Sequence, residues 1–352
     1  MSRKLSLGLE EPKGRMPSAR DRWEGIRRIV DEGKRFIITT HVNPDGDGLG
    51  SEMALFHFLR SRGKEAVIVN DGEMPENYRF LDPEGVIHWA EGGEARDALT
   101  DGFDAIFILD TGKFSRLGHL HQWVEENGAT LICIDHHPKE KKFAHAEVID
   151  TEVSSTGELV YDFITSYGPR ISNPYVAEAL FAALVTDTGA FRFANTTSRT
   201  HSIAAELIEA GADLRKTYHE IYERGSLSRL RLLGKAMAGL QLECNGRLAW
   251  FSIDWETLSS HGVSYAETER FVDEPRQIEG VEVIVYFLET HEGTIRVSIR
   301  SKGNVTVNET ARRFGGGGHP YAAGIRMQGP LEEVVRRVIE ALSEALDSPE
   351  SS

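Results

Sequence analysis

Four short apolar runs, each followed by a helical pattern, constrain the fold of this chain more than any other feature of its sequence. They are Arg35–His41, Ala66–Val69, Ala105–Asp110 and Thr130–Asp135. Runs of Ile, Val and Phe without polar alternation are typical of strands that are buried on both faces of a parallel sheet. The sequence therefore predicts an α/β domain with a largely parallel sheet flanked by helices.

The pattern changes near residue 200, and this change predicts the domain organisation. Residues 1–20 mix charge, Gly and Pro and are expected to form a loose tail, and a first α/β domain is expected over residues 21–200. Apolar residues at helical spacing over residues 201–240 indicate a helical connector. Strand and helix patterns return over residues 241–346, which predicts a smaller C-terminal α/β domain.

The charge balance restricts the partners that the chain can bind. With 40 Lys and Arg against 55 Asp and Glu, the formal net charge is −15. A long track along duplex DNA needs surplus basic residues, so a nucleic-acid substrate is expected to be short. The basic excess within residues 1–35, ten basic against six acidic residues, has no assigned role.

The sequence also indicates where in the cell the protein is expected. No apolar run approaches the about 20 residues of a membrane span, and the N-terminus lacks the apolar core of a signal peptide. The two cysteines are too few for a disulfide framework or a thiolate metal site. We therefore expect a cytoplasmic protein without a membrane partner.

Residue types that bind metals follow the predicted strands at the points where the strands end. They are His41, Asp45 and Asp47 after the first run, Asp110 at the end of the third, and Asp135, His136 and His137 at the end of the fourth. The carboxyl ends of parallel strands meet at one edge of a sheet, where ligands bind. Asp187 ends a further apolar helix, and burying its carboxylate without a partner would be costly.

The charges of these residues predict a pair of metal ions. Asp45, Asp47, Asp110 and Asp187 supply four negative charges, which two divalent cations balance, and histidines add neutral ligands. We expect Asp110 to bridge both ions. Oxygen and imidazole ligands without thiolates favour Mn²⁺ or Mg²⁺, with Co²⁺ as a substitute, over Zn²⁺. Such a pair of ions activates a water and stabilises both oxygens of a phosphoryl transfer.

A second group of residues, in the C-terminal domain, is suited to binding phosphate. Its members are Arg300, Gly315, Gly316, Gly317, Gly318 and His319. A glycine run exposes backbone N–H groups and permits close approach of a phosphate. An arginine can bind two oxygens of one phosphate at once, and a histidine can donate a hydrogen bond to a phosphate oxygen. Phe314 or Tyr321 is a candidate for stacking on a base, with a packing role as the alternative for either.

The order and spacing of these motifs resemble the DHH phosphoesterases. HVNPDGDGLGS, ILDTG, IDHH and TDTG are similar to the four motifs of that family, and FGGGGHPYAAG, preceded by SIRS, is similar to the signature of the DHH-associated C-terminal domain. The resemblance covers about residues 20–345. Within the superfamily, the chain is most similar to the hydrolases of short oligoribonucleotides, or nanoRNases, some of which also act on 3′-phosphoadenosine 5′-phosphate or cyclic dinucleotides.

The resemblance implies a metal-binding role for each residue of the first group. One Mn²⁺ would be bound by His41, Asp45 and Asp110. The other would be bound by Asp47, Asp110, His136 and Asp187. The resemblance also implies a homodimer formed through the first domain.

The resemblance further implies the catalytic and substrate-binding residues. Asp110 and His137 are expected to be catalytic, with His137 facing the scissile phosphate as a donor or acid. Asp135 would orient the histidines without binding a metal ion itself. Arg300 and His319, with the glycine run, would hold the other phosphate or the terminal nucleotide of the substrate.

The leading hypothesis is a metal-dependent phosphodiesterase or phosphatase that binds a short nucleotide between the domains and releases mononucleotides. One alternative is hydrolysis of pyrophosphate or polyphosphate on the same metal core, against which the C-terminal domain counts. Another is a catalytically silent nucleotide-binding regulator, against which the complete ligand set counts. A processive single-strand DNA exonuclease would need a longer basic track. The choice among dinucleotides, 3′-phosphoadenosine 5′-phosphate and cyclic dinucleotides stays open.

Overall fold

A computed structural model describes residues 21–90, 99, 102–139, 141–168 and 170–347. The predicted tail, residues 1–20, lies outside the described residues. The described part of the chain contains two sheets of six strands each. None of the helices in that part combines the length and the hydropathy that a bilayer span requires.

The first sheet is parallel throughout and has the strand order β3-β2-β1-β4-β5-β6. Its strands are β1 (Arg35–Thr39), β2 (Glu65–Asn70), β3 (Ile87–Trp89), β4 (Ala105–Leu109), β5 (Thr130–Asp135) and β6 (Ala146–Ile149). The four predicted strands are thus confirmed as β1, β2, β4 and β5. The short edge strands β3 and β6 were not predicted, because neither carries a continuous apolar run.

In the part of the chain that the structure describes, eight helices accompany this sheet and lead to the second one. They are α1 (Glu24–Glu32), α2 (Gly46–Ser61), α3 (Leu120–Glu126), α4 (Thr156–Thr165), α5 (Pro174–Asp187), α6 (Ser198–Glu209), α7 (Leu214–Tyr222) and α8 (Leu227–Ala238). Gly225 and Ser226 separate α7 from α8, where the Ser226 hydroxyl accepts a hydrogen bond from the N–H of Arg229. Helix α4 was not predicted.

The parallel sheet is buried on both faces, as predicted from its apolar runs. In β1, Phe36 and Ile38 pack in a core with residues of α2, α4 and α5. Ile37, between them, packs on the other face with Leu120 and Val124 of α3. The direction of the strand order reverses between β1 and β4, and in such sheets the ligand crevice opens at that point.

Helix α2 begins at Gly46, although the helical pattern of the sequence is recognisable only from Ser51. The glycines of its first turns allow close packing: a Cβ on Gly46 would collide with the side chain of Thr186, and a Cβ on Gly50 with the backbone of Ala179. Both partners lie on α5. Asp47 therefore lies in the first turn of a helix rather than in a loop.

The second sheet has the order β11-β12-β10-β9-β8-β7. Its strands are β7 (Gln241–Glu243), β8 (Leu248–Ile253), β9 (Val283–Glu289), β10 (Thr294–Ser301), β11 (Gly317–His319) and β12 (Ala322–Gln328), and its helices are α9 (Trp255–His261), α10 (Tyr265–Thr268), α11 (Asn308–Arg313) and α12 (Leu331–Asp347), with a 3₁₀ segment over Glu269–Gln277. Strands β8 and β9 are parallel and the other neighbours are antiparallel. This mixed sheet is consistent with the predicted second α/β domain.

Strand β10 of the second sheet has one buried and one accessible face. Ile295, Val297 and Ile299 are buried in a core that includes residues of α12. Arg296 and Arg300, on the opposite face, are about 30% exposed. The accessible face of β10 thus carries basic side chains.

Candidate metal centre

The segment from β1 to α2 brings His41, Asp45 and Asp47 to the carboxyl edge of the parallel sheet. Asp45 caps α2, because its Oδ1 accepts hydrogen bonds from the N–H groups of Asp47 at 3.0 Å and Gly48 at 3.2 Å. His41 Nδ1 lies 2.8 Å from the carbonyl oxygen of Val42 and donates to it. This bond orients the ring so that His41 Nε2 faces the cluster, 3.5 Å from Asp110 Oδ2.

Both oxygens of Asp47 are fixed by the start of α4. Oδ2 accepts from the N–H of Thr156 at 2.7 Å, and Oδ1 accepts from the N–H of Gly157 at 2.8 Å. The helix N-terminus carries partial positive charge and so stabilises this carboxylate. Thr156 also donates through Oγ1 to Asp110 Oδ1 at 2.9 Å. Sequence reasoning missed Thr156, although Ser155 followed three residues later by Glu158 is a recognisable helix-start pattern.

Asp110 occupies the centre of the cluster. It directly follows β4, is 2% exposed, and has a left-handed backbone with a φ of 57°. Such strain at a non-glycine residue persists only where the surroundings impose it. Its carboxylate oxygens lie 3.5 Å from His41 Nε2 on one side and 3.6 Å from His136 Nε2 on the other. This central position suits a ligand that two cations share.

His136 Nε2 provides the clearest test of whether the cluster fits a metal. It lies 3.6 Å from Asp47 Oδ2, 3.6 Å from Asp110 Oδ1 and 3.8 Å from Asp187 Oδ2. The ring is 5% exposed, and the nitrogen has no hydrogen-bond partner among the residues that the structure describes. Buried polar atoms are nearly always hydrogen-bonded, and a nitrogen surrounded by three carboxylates at these distances fits a cation between them.

Asp187 reaches the cluster from the last residue of α5. Asn195 donates through Nδ2 to the carbonyl oxygen and to Oδ2 of Asp187, both at 3.1 Å, and to the carbonyl oxygen of Ser154 at 2.8 Å. These bonds fix the direction of the Asp187 carboxylate. Sequence reasoning missed Asn195, which lies in a loop without a pattern of its own.

The carboxylates of the cluster oppose one another's charge. Burial raises the pKa of Asp47 well above its usual range, and the charges of Asp110 and Asp187 raise it further. Burial, with Asp45 and Asp110 adding to it, raises the pKa of Asp187 to about 6, although His136 opposes the change. Divalent cations would relieve this repulsion, because opposite charge stabilises the ionised form of each carboxyl.

The histidines act in the opposite sense on Asp110. Burial by itself would raise the pKa of Asp110, but the hydrogen bond from His41 and the charges of His137 and His136 hold it below its usual range. Asp110 is therefore ionised at neutral pH.

His137 and Asp135 form a tight pair beside the cluster. Asp135 is fully buried, and its Oδ1 lies 2.7 Å from His137 Nδ1 and accepts from the His137 N–H at 3.1 Å. Burial by itself would lower the pKa of His137, but the bond to Asp135 and the charge of Asp110 raise it to about 9. His137 therefore carries a proton at neutral pH, held at Nδ1 by Asp135.

His319 of the second domain lies directly over this pair. Its ring stacks on His137 with 4.0 Å between centroids, and it lies 4.8 Å from the His136 ring. Ligand nitrogens of the three histidines lie within 4.8 Å of one another. Burial, with the two neighbouring histidines, lowers the pKa of His319 to about 2, so this ring is neutral. The structure thus brings the two predicted groups together at one cleft.

The glycine run before His319 is not an open loop, which corrects our expectation of several exposed N–H groups. Gly317–His319 form β11, paired with β12, and the N–H of Gly316 donates to the carbonyl of Ala311. A Cβ on Gly316 or Gly318 would collide with the backbone of β12. Glycine is needed here for close strand pairing. A Cβ on Gly317 would lie 3.4 Å from Lys113 Nζ of the first domain.

The remaining predicted substrate residues differ in their surroundings. Arg300 Nε lies 4.0 Å from Asp273 Oδ1, and its Nη1 donates to the carbonyl of Ile299. Phe314 packs against the core of the second domain, with the Arg337 guanidinium over its ring, so its packing role is confirmed. Tyr321 is 41% exposed and is accessible to a base.

The structure combines a parallel α/β domain, a cluster of carboxylates and imidazoles at its crevice, and a second domain over that cluster. Comparison with known proteins agrees with this combination. The N-terminal domain of the DHH family matches residues 35–186, and the DHHA1 domain matches residues 251–348. The chain belongs to the DHH family, in the branch that carries a DHHA1 domain.

Relatives similar to this chain cover nearly its whole length. A Thermus thermophilus protein named bifunctional oligoribonuclease and PAP phosphatase NrnA is 33% identical over 92% of this chain and 95% of its own. The Bacillus subtilis protein of the same name is 32% identical over 84% and 90%. The crystal structure of an exopolyphosphatase-related protein from Bacteroides fragilis, 28% identical, superposes with a TM-score of 0.86 over 92% and 96%.

Proposed function

We propose that this chain is a divalent-metal-dependent phosphoesterase that hydrolyses short oligoribonucleotides to mononucleotides, and that it also converts 3′-phosphoadenosine 5′-phosphate to AMP. The observation that carries the proposal is the unpartnered Nε2 of His136 among three carboxylates, directly beneath His319 of the second domain. The names of the relatives from Thermus thermophilus and Bacillus subtilis support this class of substrate.

The proposed metal ligands form two sets that share one residue. His41, Asp45 and Asp110 would hold one cation, and Asp47, Asp110, His136 and Asp187 would hold the other. Carboxylate and imidazole donors without thiolates support Mn²⁺, with Mg²⁺ or Co²⁺ as substitutes. When bound, such a pair lowers the pKa of a water and neutralises charge on the reacting phosphoryl group.

His137 is the proposed acid or hydrogen-bond donor to the scissile phosphate. Asp135 holds the proton at Nδ1, which leaves the opposite edge of the ring, with Nε2, for the substrate. The raised pKa of His137 keeps both nitrogens protonated at neutral pH, so the ring can donate to a phosphate oxygen or to the leaving oxygen. His319 covers the face of this ring and limits access of solvent.

Arg300, His319 and the segment Gly315–Gly318 are the proposed contacts for the substrate's other phosphate or terminal nucleotide. A neutral His319 can donate one hydrogen bond without adding charge beside the cations. Arg300 supplies the positive charge that a phosphate requires, and Tyr321 is the exposed aromatic residue available for a base.

A substrate panel tests the proposal directly. We expect Mn²⁺-loaded protein to convert RNA dinucleotides to pentanucleotides into mononucleotides, and a chelator to abolish this conversion. Assays with cyclic dinucleotides and 3′-phosphoadenosine 5′-phosphate show which other nucleotides the protein hydrolyses. Hydrolysis of pyrophosphate or polyphosphate alone would instead support the activity suggested by the name of the Bacteroides fragilis protein. Binding of nucleotides without hydrolysis of any substrate would favour the silent regulator.

We also propose that two copies associate through the first domain. Tyr175 on α5 is 60% exposed and stacks on His57 of α2, which places an accessible aromatic pair on that domain. Light scattering is expected to give twice the mass of one chain, and the mass of a single chain would contradict the dimer. A cytoplasmic location stays a prediction.

A further inference from the structure

A pocket that the proposed catalytic site does not use lies on the second domain, at the far end of the accessible face of β10. It is open, has a volume of about 180 Å³, and is lined by Tyr265, Thr290, His291, Glu292, Thr294, Arg296 and Arg326. Its lining combines two guanidinium groups with aromatic rings. These are the groups that bind the phosphates and bases of single-stranded nucleic acids.

The two arginines of this pocket lie side by side. Arg296 of β10 and Arg326 of β12 are direct cross-strand partners. Like charges in this relation repel each other. The Glu269 carboxylate lies 3.5 Å from Arg296, whereas Arg326 has no carboxylate partner in the described part of the chain. A phosphate bound between the two guanidinium groups would relieve their repulsion.

The aromatic side of the pocket is an accessible cluster of three rings. The Tyr265 hydroxyl accepts from the N–H of His291 at 2.9 Å, and the Arg296 guanidinium lies 6.0 Å from the centre of the Tyr265 ring. Trp255, 40% exposed, lies 6.2 Å from Tyr265 and 5.7 Å from His291 between ring centroids. A base entering the pocket would find a ring on which to stack.

The pocket and Arg300, a proposed substrate contact, lie along the same face of β10. Arg300 and Arg296 lie on the same face of β10, four residues apart, which corresponds to about 13 Å along a strand. That distance is close to two nucleotides of an extended single strand.

We propose that Arg296, Arg326 and the adjacent aromatic cluster form a subsite for the distal nucleotides of an oligoribonucleotide longer than two residues. The arginine pair binds a phosphate beyond the one at Arg300, and the rings of Tyr265 and Trp255 receive the attached base. This subsite rests on the proposed function. It predicts that the enzyme gains affinity with each nucleotide up to the length that reaches the pocket.

Arg326→Ala tests the subsite, with Arg336→Ala as the matched control. Arg336 is an exposed residue of α12 that pairs with Glu340 and loses the same charge elsewhere on the domain. For Arg326→Ala we expect kcat/KM to fall roughly tenfold on a pentanucleotide and to stay unchanged on a dinucleotide. The slope of log KM against log salt for the pentanucleotide should fall by about 0.7, as for one lost phosphate contact. Arg336→Ala should change neither.

A binding measurement separates this proposal from the proposed function. Fluorescence anisotropy with a labelled phosphorothioate pentanucleotide is expected to give a roughly tenfold larger Kd for Arg326→Ala than for wild type, whether or not the chain hydrolyses RNA. Tyr265→Leu should weaken binding of the pentanucleotide but not of a dinucleotide. Equal effects of Arg326→Ala on dinucleotide and pentanucleotide, or no effect on either, would overturn the subsite. A wild type that binds the pentanucleotide without cleaving it would contradict only the catalytic proposal.

Discussion

The proposed metal centre and the proposed substrate contacts lie on the two sides of one cleft, but they are built differently. In the first domain, the ligand candidates are fixed by groups of that same domain: Asp45 by the helix it caps, Asp110 by the end of β4, and Asp187 by Asn195. On the second domain, His319 is held in β11, and it reaches the cluster through a contact between domains, the stacking on His137. The proposed metal centre therefore depends on the edge of one sheet, whereas the proposed substrate site depends also on how the domains meet.

Substitution of Asp110, at the centre of the cluster, is expected to lower the catalytic rate more than any other change proposed below. Asp110→Asn should lower kcat on dinucleotides by roughly 10³-fold or more, because it removes the charge that both cations share. The fold should persist, since the amide has nearly the same shape as the carboxyl. Steady-state kinetics measures the change in kcat, and circular dichroism checks that the fold persists. A variant with near-normal kcat would remove Asp110 from the centre.

A smaller effect is expected on the other side of the cleft. His319→Ala should lower kcat/KM by about 10- to 100-fold, because it removes a donor to the substrate and exposes His137. The number of bound metal ions should stay the same as in wild type, measured by elemental analysis after dialysis. A loss of metal in this variant would instead make His319 a ligand, and the contrast between the two sides of the cleft would be lost.

Asn195 tests how far the first domain fixes its own ligands. Asn195→Ala leaves the Asp187 carboxylate without the bonds that direct it, so the affinity for metal should fall about tenfold. Activity should recover at saturating Mn²⁺, because the ligand itself is still present. Titration of activity against Mn²⁺ concentration checks both statements. If saturating metal fails to restore activity, Asn195 acts on the substrate and not on Asp187.

The smallest effects concern the glycines. Gly50→Ala should destabilise the chain by about 1–3 kcal/mol, because the new methyl group meets the Ala179 backbone of α5. Gly234→Ala, in the interior of α8 with open space around it, should be neutral or stabilising by up to about 1 kcal/mol. Denaturant unfolding of the two variants measures the difference. Equal stabilities would mean that α2 and α5 do not need a glycine at their contact.

The sequence predicted the features that depend on neighbouring residues. Apolar runs ending in Asp or His indicated both the parallel sheet and the edge where its polar residues meet. Helix α4 went unpredicted, and with it Thr156, because its short pattern lacks the long apolar repeat of α5. The position of Asn195 depends on a loop fold that no local signal specifies.

The glycines were harder to interpret, for a physical reason. A glycine needed for a turn and a glycine needed for close packing look identical until the neighbouring segment is known. Gly46 and Gly50 face α5, which lies far along the chain, and Gly316 and Gly318 face β12, the next strand of the chain. Likewise, the stacking of His319 on His137 joins residues of two domains. Such contacts are determined by tertiary structure.

We expect the cluster around His136 Nε2 to bind two divalent cations, and a count of the bound metal ions checks this expectation. Elemental analysis of dialysed, Mn²⁺-loaded wild type should give two ions per chain. His136→Ala should retain one, because His41, Asp45 and Asp110 are unchanged. A wild type that retains no Mn²⁺, or a His136→Ala variant that retains as much as wild type, would contradict the proposed two-metal centre.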